Sequence, residues 1–356
     1  MSTLRWEEFA ARHSCRFESE PSIQKSMEAY RACGARISST SIRREVDQSA
    51  DFVGVSIRNQ QVVAFGPHLA SWNRVGTRVR SILSDLQAMA AMVELPNVQF
   101  PMHLHDGASF SASTCKPVFV QEKSRTSTGG IYLPPRSAGG FVQRTPERGG
   151  ELRSEEALMR VAWMDNNTPF NSKANKAFFR GSTTGGVYTK ESWRSMHRSR
   201  VVQVSLDRPD LLDARFSGFS QCDKIAEGEM RGAGFAGGRV DQDAQWKFKL
   251  IVVPDGNSVP DRLLSQLASN SVVLKPESDN AEYWYAELVP WEHYIPYKSN
   301  ASNLAQVIES ALKNQALLEH IATKSTQFVL ARLNPSRVMC YWGLLLRAYA
   351  AHFNTA

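Results

Sequence analysis

Three short stretches concentrate the side chains and turn residues that reactions on anionic substrates need. Between Trp246 and Lys275 the chain reads WKFKLIVVPDGNSVPDRLLSQLASNSVVLK. It has an apolar run from Phe248 to Val253, a turn at Asp255-Gly256, a short helix predicted to start near Ser258, and a second apolar run, Ser271 to Leu274. That is a βαβ unit. Its first turn offers small side chains, backbone N–H groups and the positive end of a helix, with Arg262 one helical turn further on, and such a turn suits a phosphate. A second turn follows the predicted strand KAFFRG, where Gly181, Ser182, Thr183 and Thr184 precede Lys190 and Arg194 on an expected helix. It lacks the GKS or GKT of a P-loop, but two anion-friendly turns in one half of the chain are what a single diphosphate would use.

The third stretch is HLHDGAS. His103 and His105 lie two apart on a predicted strand and share a face, which leaves a metal pair open although no cluster of further ligands is evident. Asp106 falls where that strand should end, and Gly107 permits a turn. A carboxylate there is ionised at neutral pH and could act as a general base, while a turn-capping aspartate is the other reading.

The elements that must position these groups alternate between strand and helix. Residues 1–50 read as helical with breaks near Pro21 and Gly34, and 51–65 as a hairpin turning at Asn59-Gln60. Val75 to Met92 follows as an amphipathic helix, then LPNVQFPMHLHD and KPVFVQEK as strands. Residues 124–150 form a loop rich in Gly, Ser, Pro and Thr, and Ser154 to Met164 is a helix. Beyond KAFFRG the pattern predicts a helix at Lys190 to Arg198, a strand at VVQVSL, the βαβ unit, a helix at EYWYAEL and a strand at HYIPYK. Helices at 301–313 and 315–332 and a final apolar one, SRVMCYWGLLLRAYAAHF, close the chain. Tyr283, Trp284, Tyr285 and Trp291 are read as packing residues, with a sugar-stacking platform as the alternative. The fold class is α/β.

At 356 residues, two domains are expected, and 42% apolar with 22% charged residues is a globular composition. The net charge of +7 comes from scattered Lys and Arg, without runs or a nucleic-acid module, so no nucleic-acid partner is expected. Such a surface also suits anionic donors or peripheral contact with an anionic membrane face. No stretch approaches the roughly 20 apolar residues of a membrane span, and the N-terminus has no secretory h-region. Five widely spaced cysteines, an odd number, read as reduced thiols, and the expected setting is cytoplasmic.

The text from about 165 to 350 resembles glycosyltransferase family 90, the group of capsule-associated and Rumi-like protein O-glucosyltransferases. The resemblance is carried by KAFFRGSTTGG, PDLLDARFSGF, the βαβ unit, EYWYAELVPWEHYIPYK and NPSRVMCYWGLLLRAYA, with PNVQFPMHLHD extending it into the first half. It implies a GT-B architecture: two Rossmann-like domains, 1–165 on the acceptor side and 166–335 binding the nucleotide sugar, with a C-terminal helix, 336–356, returning to the first. It also implies an inverting, metal-independent transferase without cofactor, moving glucose or xylose from a UDP-sugar to a glycan or lipid-linked glycan of surface polysaccharide or lipopolysaccharide. The alternatives are a protein O-glycosyltransferase and a catalytically silent UDP- or glycan-binding member. By motif, Asp106 would be the base. Ser182, Thr183, Ser258, Val259 and Arg262 would hold the donor diphosphate, and Ala214, Phe216 and Ser217 would lie near the nucleoside. Rumi-like enzymes place an arginine soon after FRGS, where this chain has GGVYTK, so Lys190 or Arg194 is expected to substitute.

Overall fold

The computed structural model describes residues 3–67, 69, 76–103, 105–107, 109–134 and 169–353. The loop beyond residue 134, the helix expected at Ser154 to Met164 and the domain boundary expected at 165/166 lie outside them. The chain packs as two α/β units.

Unit 1 holds the described residues up to 134, together with 279–285 and 332–353. Helices α1 (Trp6–His13), α2 (Pro21–Ala29) and α3 (Ser39–Gln48) precede a hairpin of β1 (Phe52–Arg58) and β2 (Gln61–Phe65). Pro21 opens α2 where a missing N–H costs nothing, and Ser38 and Ser41 cap α3 reciprocally. Helix α4 (Gly76–Met92) leads to β3 (Val98–His103), followed by the two-residue strands β4 (Phe119–Val120), β5 (Lys123–Ser124) and β6 (Ile131–Tyr132). The sheet order is β2-β1-β3-β4-β6, antiparallel on the β1 side and parallel from β3 onward.

The C-terminal helix, Pro335–His352, joins this unit and packs on α1, α2 and β3. Gly343 is needed there because a Cβ would lie 2.1 Å from the Trp6 ring. Residues 279–285 join it too, which the sequence did not suggest: Asn280–Ala281 pairs antiparallel with β5, and Tyr283 lies 4.1 Å from Tyr341, ring to ring. Tyr283, Trp284 and Tyr285 form a buried 3₁₀ turn instead of the expected α-helix, while Trp291 stays half exposed at 50%.

The cysteine reading is overturned. Cys15 is bonded to Cys340 and Cys33 to Cys115, across sequence separations of 325 and 82, and Cys222 remains the free thiol. An odd count with no local pair hides partners that meet only through tertiary folding. Alkylation of the unreduced, denatured chain should therefore modify one cysteine, and reduction should cost about 2–5 kcal/mol of stability. Five reactive thiols in the freshly purified protein would contradict the pairing.

Unit 2 spans 169–278 and 286–331 among the described residues. Its strands are β7 (Ala174–Ser182), β8 (Leu212–Gly218), β9 (Phe248–Val252), β10 (Val272–Pro276) and β11 (Ile295–Tyr297). All are parallel, in the order β8-β7-β9-β10-β11. Strands covered on both faces become continuous apolar runs, as in LIVV and VVL. The helices are α5 (His197–Asp207), α6 (Lys224–Gly232), α7 (Leu263–Leu267), α8 (Leu304–Leu312) and α9 (Gln315–Arg332).

Two sequence expectations fail in this unit. VVQVSL is no strand but the middle of α5, whose buried residues Arg198, Val201, Val202 and Ser205 keep a spacing of three and four. Of the helix expected at Lys190 to Arg198 only His197 and Arg198 are helical, opening α5, and the rest is irregular chain with a 3₁₀ turn at Trp193–Ser195. Among the described residues, no helix is long and apolar enough to cross a membrane.

Candidate functional site

The strand order of unit 2, counted along the chain, is 2-1-3-4-5. In such a sheet the connections leave in opposite directions from β7 and β9, and the carboxyl ends of these two strands frame the crevice where ligands bind. Both anion-friendly turns stand there. The turn after β7 and the turn after β9 pack directly on each other, with the Gly185 amide donating to Asn257 Oδ1 at 3.1 Å. Gly185 has φ +95°, and a Cβ there would meet the Gly256 carbonyl oxygen at 2.9 Å. A Cβ on Gly256 would in turn meet Thr184 Oγ1 and an Arg198 nitrogen, each at 3.0 Å. Glycine is thus required on both sides of the junction.

Arg198 locks the junction. It is buried at the start of α5 and donates to the carbonyls of Asp255 (2.8 Å), Ser182 (2.9 Å) and Pro254 (3.3 Å). Arg262 comes from the opposite side. It donates to the Arg180 carbonyl at 2.5 Å, and a Cβ on Gly181 would sit 2.8 Å from its guanidinium. The two guanidinium groups lie 6.0 and 5.8 Å from the centre of the same Phe179 ring. Burial first, and then the positive charge of Arg198, pulls the Arg262 pKa down to about 10. Burial also lowers that of Arg198, against the favourable pull of Tyr188, Asp255 and Tyr297. Among the described residues, no carboxylate lies within ion-pair distance of either guanidinium. Two mutually repelling cations, Arg198 buried and Arg262 partly buried, hydrogen-bonded only to backbone carbonyls among the described residues, favour an incoming anion.

Ser258 adds an unsatisfied donor: its hydroxyl is buried and, among the described residues, unpartnered. Buried polar atoms are rarely left so unless something else completes them. Beside Arg262 opens a recess of ≈ 650 Å³ lined by Arg180, Ser217, Arg239, Val240, Asp241, Gln245 and Arg262. Arg180 is committed elsewhere, bound to the Asp213 carboxylate at 2.8 Å and stacked 4.6 Å over Phe178.

Arg262 and Ser217 therefore line the recess, with Ser182, Ser258 and Val259 in the paired turns. Other expected residues stand apart. Thr183 is fully buried, its hydroxyl donating to the Ser220 carbonyl. Ala214 and Phe216 carry their side chains into the core, where Phe216 stacks on Phe235, so only their backbone could face a nucleoside. Lys190 is exposed, and Arg194 binds Glu229 at 3.0 Å and lies over Trp193. The cation at the turn is Arg198, four residues beyond Arg194. Sequence reading missed it together with Arg180 and Arg239. Its signal was an arginine, placed at the end of the expected helix, that shares a three-and-four spacing with the run Val201 to Leu206 mistaken for a strand. The helix after β9 begins at Leu263 rather than near Ser258, because Pro260 disfavours helical backbone at the residue before it. Arg262 is thus the helix's first flanking residue, and the one-turn helix α7 adds little dipole.

In unit 1, β3 ends at His103, short of Asp106. Asp106 is exposed in the following bend, where Gly107 takes φ +73°. His103 and His105 face each other with ring centres 5.7 Å apart, and His105 Nε2 lies 3.2 Å from Asp51. Among the described residues, no group of three or more His, Cys, Asp or Glu is arranged to hold a metal.

A parallel α/β unit with paired glycine turns and two guanidinium groups at its switch point has the doubly wound architecture, in which that crevice is the usual ligand position. The chain belongs to glycosyl transferase family 90, whose model matches residues 68–356. It is 32% identical over 181 residues to rat protein O-glucosyltransferase 3, covering 50% of this chain and 32% of that protein. It is 28% identical over 305 residues to zebrafish (Danio rerio) protein O-glucosyltransferase 2, covering 83% of this chain and 54% of the relative. The chain thus spans about a third to a half of the length of these relatives. Among solved structures it is similar to the C-terminal domain of a group 1 glycosyl transferase, LpcC, from Francisella tularensis. That match has a TM-score of 0.31 at 14% identity, covering 49% of this chain and 92% of that one.

Proposed function

We propose that this chain transfers a sugar, glucose or xylose, from a UDP-sugar to a hydroxyl group, with inversion and without a metal ion. The observation that carries this is the pair of guanidinium groups, buried Arg198 and partly buried Arg262, at the switch point of the parallel sheet. Diphosphate oxygens would sit against them and the paired turns, with the Ser258 hydroxyl as a further donor. The nucleoside would occupy the adjoining recess, where Ser217 and the Asp241 carboxylate suit ribose hydroxyls. Inverting transfer is one displacement at the anomeric carbon, so a base must take the acceptor proton from the face opposite the leaving group. Asp106 is the residue proposed for it.

The proposed acceptor is a glycan of a surface polysaccharide or lipopolysaccharide. A second reading, a folded protein acceptor, is favoured by the names of the relatives. The two disulfides support work in an oxidising compartment, away from the cytoplasmic setting expected from the cysteine count. The test is UDP release from a panel of UDP-sugars, offered with oligosaccharide or folded protein acceptors, in the presence and absence of EDTA. UDP release from one donor, insensitive to EDTA, is expected. No binding or turnover of any UDP-sugar would refute the reading, and an EDTA-sensitive rate would refute metal independence.

A further inference from the structure

We propose that Arg239 is the cation that meets the charge developing on the departing diphosphate, binding the released nucleotide more tightly than the donor. This rests on the donor reading above and goes beyond it. Arg239 lines the recess beside Arg262, yet its situation is the opposite of the other arginines there. Arg180 is neutralised by Asp213, and Arg262 is held by the Arg180 carbonyl. Arg239 is exposed and, among the described residues, its side chain makes no hydrogen bond or ion pair. The chain before it is built to bring it there. Phe216 donates to the Phe235 carbonyl at 2.8 Å, and Gly237 donates back to the Phe216 carbonyl at 2.9 Å, so residues 235–237 run along β8. A Cβ on Gly237 would lie 2.3 Å from Arg215 Cβ and 3.3 Å from Arg180 Nε, so only glycine lets the chain approach this closely. Gly238 then takes φ +69°, and the next residue, Arg239, lines the recess.

The charge balance says what such a group does. In the donor, the diphosphate is esterified at both ends. As the anomeric C–O bond breaks, its electron pair stays on the terminal phosphate oxygen, which gains a full negative charge, while the acceptor oxygen bonds to the anomeric carbon and its proton passes to Asp106. Arg198 and Arg262 are fixed by backbone carbonyls and meet the donor and the product alike. A guanidinium on an exposed stem, free to turn, is the one that can strengthen its interaction as the new charge appears.

The experiment is calorimetric titration of wild type, Arg239→Ala and Arg239→Lys with UDP and with the best-bound UDP-sugar, alongside steady-state kinetics. Arg239→Ala is expected to lose about tenfold or more in UDP affinity, to keep donor affinity within about threefold, and to lose kcat rather than KM. Arg239→Lys should recover part of the loss. Equal weakening toward both ligands, or no weakening toward either, overturns the inference. Wild-type protein that binds no UDP removes the donor reading and this inference with it. Wild-type binding with an unaltered Arg239→Ala variant removes the inference alone.

Discussion

Arg262→Ala is expected to lower kcat/KM by roughly 10²–10³-fold, the range expected when one partner of a desolvated, hydrogen-bonded charge pair is removed. The structure makes this residue difficult to replace. Its guanidinium sits against Gly181 and the Phe179 ring while one nitrogen is spent on the Arg180 carbonyl, leaving the rest of a planar fork to face the recess. Lysine could satisfy the carbonyl or the phosphate, but not both from one ammonium, so Arg262→Lys should rescue little. The pKa lowered to about 10 remains well above neutrality, so the group arrives charged. An anion that relieves the repulsion from Arg198 should bind more weakly once one of the two cations is gone, and UDP affinity should fall together with kcat/KM. Lys190→Ala, which removes an exposed cation away from the paired turns, should stay within about twofold of wild type. Equal losses from the two variants would mean that the net positive surface, and not this junction, holds the donor.

How much of this was legible before the fold was known depends on the length scale of each signal. The βαβ unit was readable because buried parallel strands leave continuous apolar runs, and a glycine turn joining two such runs fits few arrangements of chain besides a parallel crossover. Ser217 came only from the resemblance to the family, whereas Arg262 follows directly from that local text. Arg198 did not, because VVQVSL is a short β-branched run whose three-and-four spacing shows only when Arg198 and Ser205 are counted as interior positions. A buried arginine looks polar in the sequence and therefore breaks the stripe that would have revealed the helix. Non-local features were hidden for a related reason. The cysteine partners are separated by up to 325 residues, and 279–285 leaves unit 2 to pair with β5. Neither leaves a periodic trace. Trp291 shows the same limit, since Tyr283, Trp284 and Tyr285 of the same stretch are buried, while Trp291, at a positive φ of 67°, is half exposed. Thr183 failed in the opposite sense: its motif position was clear, but its hydroxyl is consumed by the chain's own Ser220 carbonyl.

Asp106→Asn separates the proposed base from every residue of the donor site. The substitution keeps size and hydrogen-bonding capacity but removes the ability to accept a proton near neutral pH, so transfer should fall by about 10²–10⁴-fold. Because Asp106 belongs to unit 1 and the diphosphate turns to unit 2, UDP affinity should stay within about twofold of wild type, the reverse of the Arg262→Ala pattern. The bend that carries it depends on Gly107 at φ +73°, which the neighbouring substitution leaves untouched, and Asp106 itself is exposed, so little stability should be lost. A turn-capping aspartate would behave differently. Asparagine also caps turns, so transfer would survive while Asp106→Ala lowered the melting temperature. Measuring both variants for transfer, UDP binding and melting temperature decides between base and cap, and full transfer by Asp106→Asn would return the carboxylate to a structural role.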